Sequence, residues 1–183
     1  MTKSSVAIIG ANRLAEELAN LAKEKGVEAH LSRDAGALGP TVNIVIDTES
    51  GAEDRKRALL QKLDAALPNP SLLVSSCLRF GTTRMASWLK HPERLVGFAT
   101  FFPLKDRKLI ELAGGLRTGE MALQQSEELV QSLGKTSVRV KDSAGLTFPR
   151  ILSLIINEAA RSLEEGVASA EEIDVAMRLG VNY

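Results

Sequence analysis

Gly10-Ala11-Asn12-Arg13-Leu14-Ala15 is the stretch whose residue types could bind a phosphate. It lies between an apolar run, Val6 to Gly10, and a helical pattern with Leu14, Leu18, Leu21 and Ala22 on one side. A glycine turn between a strand and a helix seats pyrophosphate on the helix N-terminal amides, and the full pattern is G-x-G-x-x-G or G-x-G-x-x-A. Gly10 and Ala15 satisfy the first and third positions, and Asn12 replaces the second glycine. A Cβ at that point obstructs the phosphates. Asparagine tolerates a left-handed φ, so the turn itself is expected to survive. Further along, Arg33 stands where an acidic residue would hold ribose hydroxyls, with Asp34 one place late; an arginine there would favour a 2′-phosphate.

The other reactive residue types are sparse. Cys77 falls at the carboxyl end of a strand, where α/β sites form, but no histidine is positioned to activate it, so it reads as a packed thiol. His91 precedes Pro92 in a loop and reads as a capping or solvent-facing residue, and His30 lies inside a strand. No His, Cys and carboxylate cluster has metal-ligand spacing. Asp54 to Arg57 and Lys105 to Lys108 are mixed-charge turns, read as solvated faces.

The elements that must position these residues alternate along the chain, which predicts an α/β fold with a doubly wound, mostly parallel, Rossmann-like sheet. Expected strands are Val6 to Gly10, Glu28 to Ser32, Asn43 to Asp47, Leu72 to Ser75, Leu95 to Phe98 leading into Phe101-Phe102, Lys108 to Leu112, and Ser137 to Lys141. Expected helices include Glu53 to Leu67, stopped by Pro68 and Pro70, the short Thr82 to Lys90, and Thr118 to Leu133. From Pro149 the pattern changes. Ile151, Leu154, Ile155, Ala159 and Leu163 mark a long helix, and Ser169-Ala170-Glu171-Glu172 opens a short final one. The expected organisation is a sheet domain over 1–148 and a C-terminal helical extension over 149–183.

Composition narrows the function. At 183 residues and 44% hydrophobic the chain can bury a core of its own. Lys+Arg and Asp+Glu both number 23, a balance that gives no reason to expect nucleic acid or an acidic membrane surface as partner. No apolar run reaches the roughly 20 residues of a membrane span, and a single cysteine forms no internal disulfide. The start, Met-Thr-Lys-Ser-Ser into Val6, lacks signal-peptide organisation. A cytoplasmic protein is expected.

His91 to Leu112, HPERLVGFATFFPLKDRKLIEL, resembles the 3-hydroxyacyl-CoA dehydrogenase segment P-E-R-x-I-G-x-H-F-F-N-P followed by K-L-V-E. Pro92-Glu93-Arg94, Gly97, Pro103 and Lys108-Leu109-Ile110-Glu111 match it. The family's general-base histidine falls on Ala99 and its asparagine on Phe102. The S-N-T-S-S-L segment reads Ser75-Ser76-Cys77-Leu78-Arg79-Phe80, which puts Arg79 at the catalytic serine; in Lys141-Asp142-Ser143-Ala144-Gly145 and onward a second active-site asparagine becomes Pro149. Ile46-Asp47-Thr48 and Lys56 match the family's third strand and downstream lysine, and Asn157-Glu158-Ala159 onward matches the start of its C-terminal helical domain. The helical excursion that helps clamp CoA shrinks to the loop at Asp34 to Thr41. The chain most resembles the degenerate second half of long bacterial members.

This resemblance implies a protein of acyl-CoA metabolism with NAD as cofactor and acyl-CoA as ligand. It implies Gly10, Asn12, Arg13, Leu14, Asp47 and Lys56 at the cofactor, and Glu111, the residue that orients the base, as the one remaining catalytic candidate. Ala99 accepts no proton, and loss of a general base costs about 10²–10⁴-fold. The expectation is a dehydrogenase-like module with impaired catalysis, serving dimerisation or support; the alternative is an active NAD-dependent 3-hydroxyacyl-CoA dehydrogenase. The apolar helix at 150–165 is expected to pair with a second copy or to dock on a dehydrogenase domain.

Overall fold

The computed structural model describes residues 5–39 and 41–181, with Ala37 as backbone only. The sequence readings that touch Met1–Ser4, Pro40 and Asn182–Tyr183 therefore lie outside the described residues.

Seven strands form one sheet in the order β2-β1-β3-β4-β5-β6-β7. They are β1 (Ser5–Ile9), β2 (Ala29–Ser32), β3 (Val42–Asp47), β4 (Leu72–Ser76), β5 (Leu95–Ala99), β6 (Leu109–Gly114) and β7 (Thr136–Arg139). All neighbours run parallel except β5 and β6, which are antiparallel. Strand order reverses direction at β1, whose neighbours are β2 and β3, so the switch point lies at the carboxyl ends of β1 and β3.

The strands alternate apolar residues to both faces because helices cover both. Val6 and Ile8 face α1 (Arg13–Glu24) and α4 (Glu120–Ser132) in a core with Leu14, Leu18, Leu129 and Val130. Ala7 and Ile9 face the other core, with Leu60 and Leu63 of α2 (Glu53–Ala66) and Met85 of α3 (Thr82–Ala86). Gly97 of β5 is what lets α3 approach. A Cβ there would stand 2.1 Å from Thr82 Oγ1, which itself donates to Ala113 O at 3.1 Å. The loop at Asp34 to Thr41 holds a 3₁₀ turn, Ala35–Ala37.

One buried ion pair ties α2 to the entry of β5. Arg94 Nη2 meets Asp64 Oδ1 at 2.7 Å, with side chains 5% and 4% exposed. Arg94 Nη1 also donates to Leu67 O and Pro68 O, while Asp64 Oδ2 accepts from Lys90 N at 2.8 Å. The arginine of the Pro-Glu-Arg motif is therefore structural.

Contacts divide the chain into Met1–Pro149 and Arg150–Tyr183. Helix α5 (Phe148–Glu164) begins in the first unit and continues through the second, where α6 (Ala170–Gly180) follows with a capping box at its start: Ser169 N donates to Glu172 Oε2 at 2.8 Å, and Glu172 N to Ser169 Oγ at 3.3 Å.

Replacing Arg94 by Leu leaves the Asp64 carboxylate buried without its cation and is expected to cost about 3–5 kcal/mol of stability in urea unfolding. The double replacement Arg94→Leu with Asp64→Leu is expected to cost less than the single one; equal or greater loss would show that the pair is not what holds the site.

Candidate functional site

Gly10 directly follows β1 with φ 152, and a Cβ on it would lie 2.1 Å from Thr48 Oγ1, so only glycine fits beside the end of β3. Thr48 Oγ1 donates to Ile9 O at 3.0 Å, locking the two strand ends together. Asn12 then caps α1. Its Oδ1 accepts from Ala15 N at 3.0 Å and its Nδ2 donates to Thr48 O at 3.1 Å. Its backbone is extended, φ −117 and ψ 164, so the left-handed conformation allowed for in the sequence reading is not used. Asparagine is here as an N-cap.

The turn's capacity for an anion follows from its amides. Ala15 N is taken by Asn12, and Ala11 N by Glu49 Oε1 at 3.3 Å. Arg13 N and Leu14 N, the first two amides of α1, have no protein acceptor among the described residues. With the glycine close approach at Gly10, those two amides fit a pyrophosphate at the positive end of the helix dipole. The Arg13 guanidinium lies 5.0 Å from the centroid of the Phe102 ring. Phe102 is 49% exposed rather than a buried strand residue, because β5 ends at Ala99 and the following loop turns toward α1. Leu104 N donates to Glu17 Oε2 at 2.5 Å, which together with Arg13 holds that carboxyl below the usual carboxylate range.

Asp47 and Lys56 do come together, 2.6 Å apart, both side chains fully buried. Asp47 Oδ2 also accepts from Ser75 Oγ at 2.8 Å, its Oδ1 from Glu49 N at 3.0 Å, and Lys56 Nζ donates to Glu49 O as well. Every charge is answered within the protein. The pair shapes the loop after β3 and does not reach solvent.

Glu111 lies directly across the antiparallel ladder from Ala99. A histidine at 99 would stand beside that carboxylate. In its absence Glu111, 5% exposed, accepts from Thr147 N at 3.0 Å and from Phe148 N at 3.1 Å, the amides that open α5. A carboxylate there complements the helix N-terminus. Beside it is a cavity of about 350 Å³ lined by Ala99, Thr100, Phe101, Lys108, Glu111 and Phe148, among others. Phe101 and Phe148 meet edge to face, 5.7 Å between centroids.

The remaining readings resolve locally. Cys77 is buried, its Sγ 3.2 Å from Phe98 O, and burial pushes its thiol up to about 12, with the Asp142 charge adding to the effect. Asp142 Oδ1 and Oδ2 accept from Thr82 N and Thr83 N at 2.6 and 2.7 Å, capping α3. His91 Nδ1 lies 3.4 Å from Glu93 at the surface, and His30 sits in β2. Sequence reasoning missed two hydroxyls. Ser76 Oγ and Thr100 Oγ1 are buried without a hydrogen-bond partner among the described residues, and Thr100 lines the cavity. Burial of this kind leaves no mark in a sequence; only their position next to strand ends hinted at it.

A doubly wound sheet with open helix amides at its switch point is the dinucleotide-binding type of α/β fold. Family profiles agree: that of the 3-hydroxyacyl-CoA dehydrogenase NAD-binding domain matches residues 30–143, and that of the C-terminal domain matches 145–183. The chain belongs to the 3-hydroxyacyl-CoA dehydrogenase family. The first match begins beyond the glycine turn, where this sequence departs from the pattern. A 3-hydroxybutyryl-CoA dehydrogenase of Bradyrhizobium diazoefficiens is 31% identical over 185 residues, 99% of this chain and 63% of its own length. One from Clostridioides difficile is 35% identical over 137 residues, 74% of this chain and 49% of its own length. The chain thus spans about half to two thirds of these relatives. The crystal structure of (S)-3-hydroxybutyryl-CoA dehydrogenase from Ralstonia eutropha superposes with a TM-score of 0.78 at 27% identity, covering 98% of this chain and 78% of that one.

Cys77 in the folded protein is expected to resist an aromatic disulfide reagent at pH 8, because a thiol pushed up to about 12 is almost wholly protonated there. Labelling should become rapid on unfolding in guanidinium. Rapid labelling of the native protein, watched by the released thiolate's absorbance, would contradict the packed-thiol assignment.

Proposed function

We propose that this chain is a 3-hydroxyacyl-CoA dehydrogenase-like module of acyl-CoA metabolism that does not run the oxidation, and that it serves assembly or support. The observation that carries this reading is the pairing of Ala99 with Glu111. The position across the ladder from the carboxylate has no proton acceptor, and the carboxylate itself is bound to the amides of Thr147 and Phe148. Removing the 3-hydroxyl proton needs a base within hydrogen-bond reach of it. Arg79 and Phe102, at the positions of the family's serine and asparagine, add poorer substrate placement.

NAD, where bound, would supply the hydride acceptor; Arg13 N and Leu14 N are the groups to hold its pyrophosphate, with Gly10 giving the close approach. Asn12 would border the phosphates and not contact them through a glycine backbone. The opposing reading is an active dehydrogenase with rearranged residues. What favours it is the cavity beside Ala99, which is room for an acyl ligand.

The assembly role rests on α5 and the segment after it. Ile151 and Leu154, three apart and so neighbours on one face of α5, are 51% and 62% exposed. A second copy of the chain is the occupant this reading assigns to that face.

Two measurements test these readings. Purified protein with acetoacetyl-CoA and reduced nicotinamide nucleotide is expected to show no enzyme-dependent loss of absorbance at 340 nm; turnover proportional to protein concentration would establish the active reading instead. Sedimentation is expected to give a dimer that Leu154→Glu converts to monomer, and a monomeric parent protein would remove the assembly role.

A further inference from the structure

At the end of β2 the surface opens into a cleft of about 550 Å³, large enough for a nucleoside. Arg33, Arg55 and Lys62 line it together with Leu59, Asp34 and Glu49. Arg55, Leu59 and Lys62 are spaced at four and three along α2, which puts them on one face of that helix. Arg33 follows Ser32, whose register partner is Ile9, so it stands level with the glycine turn at Gly10.

The charges in the cleft are not equivalent. Asp34 Oδ1 is turned back onto Gly36 N at 2.8 Å, and Glu49 Oε1 onto Ala11 N at 3.3 Å. Both carboxylates thus have backbone donors. Arg33, Arg55 and Lys62 are in no ion pair among the described residues, whereas Arg13, Lys56, Arg57, Arg84, Arg94 and Arg139 each are. Three cations that are in no ion pair among the described residues thus line one cleft with two carboxylates held on backbone amides, at the place where a doubly wound sheet receives the adenosine of a dinucleotide. An acidic residue there reads free ribose hydroxyls; an arginine suits a phosphate on the 2′ oxygen.

We propose that this cleft binds the 2′-phosphorylated ribose of an adenine nucleotide, with Arg33 as the specificity-determining residue, so that the chain takes NADP(H) in preference to NAD(H). Arg55 and Lys62 complete the phosphate's charge neutralisation from α2, and Leu59 gives the purine an apolar surface. The proposal rests on the dinucleotide fold and stands apart from whether the chemistry runs, because its readout is binding.

Titration calorimetry of the full chain tests it with three probes that differ only in the ribose phosphate: adenosine 2′,5′-bisphosphate, adenosine 3′,5′-bisphosphate and adenosine 5′-monophosphate. The 2′,5′ isomer is expected to bind at least about tenfold more tightly than either of the others, a ratio worth ~1.4 kcal/mol. Arg33→Asp is expected to erase that ratio with the thermal melt unchanged, since Arg33 is exposed. NADPH should outrank NADH in the same way. Equal affinity of the three probes overturns the proposal, as does preference for the 3′,5′ isomer, which would mark a coenzyme A phosphate instead, or absence of heat from all three. Turnover of acetoacetyl-CoA, with or without the preference, bears only on the catalytic reading, so the two failures are distinguishable.

Discussion

A carboxylate placed inside a sheet has to be answered by donors, and Glu111 is answered by the start of a helix. Its two oxygens hold Thr147 N and Phe148 N, so β6 and the opening of α5 are fixed to each other by a charge. The same logic recurs at the buried Asp47 and Asp64 and at the half-buried Asp142. Asp47 is met by Lys56 and Ser75, Asp64 by Arg94 and the Lys90 amide, and Asp142 by the first amides of α3. Each joins pieces of chain far apart in sequence. Taking such a charge out of water is costly unless its hydrogen bonds are complete, and here they are.

This explains which parts of the family's motifs the chain retains. Arg94, Gly97, Glu111, Asp142 and Gly10 all make contacts that the fold itself uses: a buried ion pair, a close helix approach, two helix caps and a strand-end junction. Besides Asn12 and Arg33 at the cofactor turn, the positions that differ are Ala99, Phe102, Arg79 and Pro149, which the resemblance assigns to substrate and proton chemistry. Ala99 packs into the core and Phe102 stacks under Arg13. Structure and chemistry are carried by different residues of the same short segments, so one can be altered while the other stands.

The mostly parallel, helix-covered sheet could be read from the sequence because apolar alternation in Val6 to Ile9 and the three-and-four spacing in α1, α2 and α4 are local signals, whereas the strand order is not. The expected boundaries differ from the observed ones by a residue or two at most strands; Thr82 to Lys90 proved longer than the helix, which ends at Ala86. What the sequence could not convey is how polar side chains are spent. Nothing local distinguishes the fully buried Lys56 from a surface lysine, or reveals that Asn12 turns both ends of its amide inward. Phe102 was expected in a strand because aromatic runs favour strands; its half-exposed place depends on Arg13, some ninety residues earlier.

The antiparallel step between β5 and β6 also bears on the order of assembly. Ala99 and Glu111 are twelve residues apart, whereas Ile9 and Asp47, paired across the switch point, are separated by thirty-eight. Closing the longer loop costs about 1 kcal/mol more entropy, before the crossover helix has contributed any contact. The half of the sheet that holds Ala99 and Glu111 is therefore the half that can form from a nearly contiguous piece of chain. The half that carries the glycine turn has to wait for distant strands to meet.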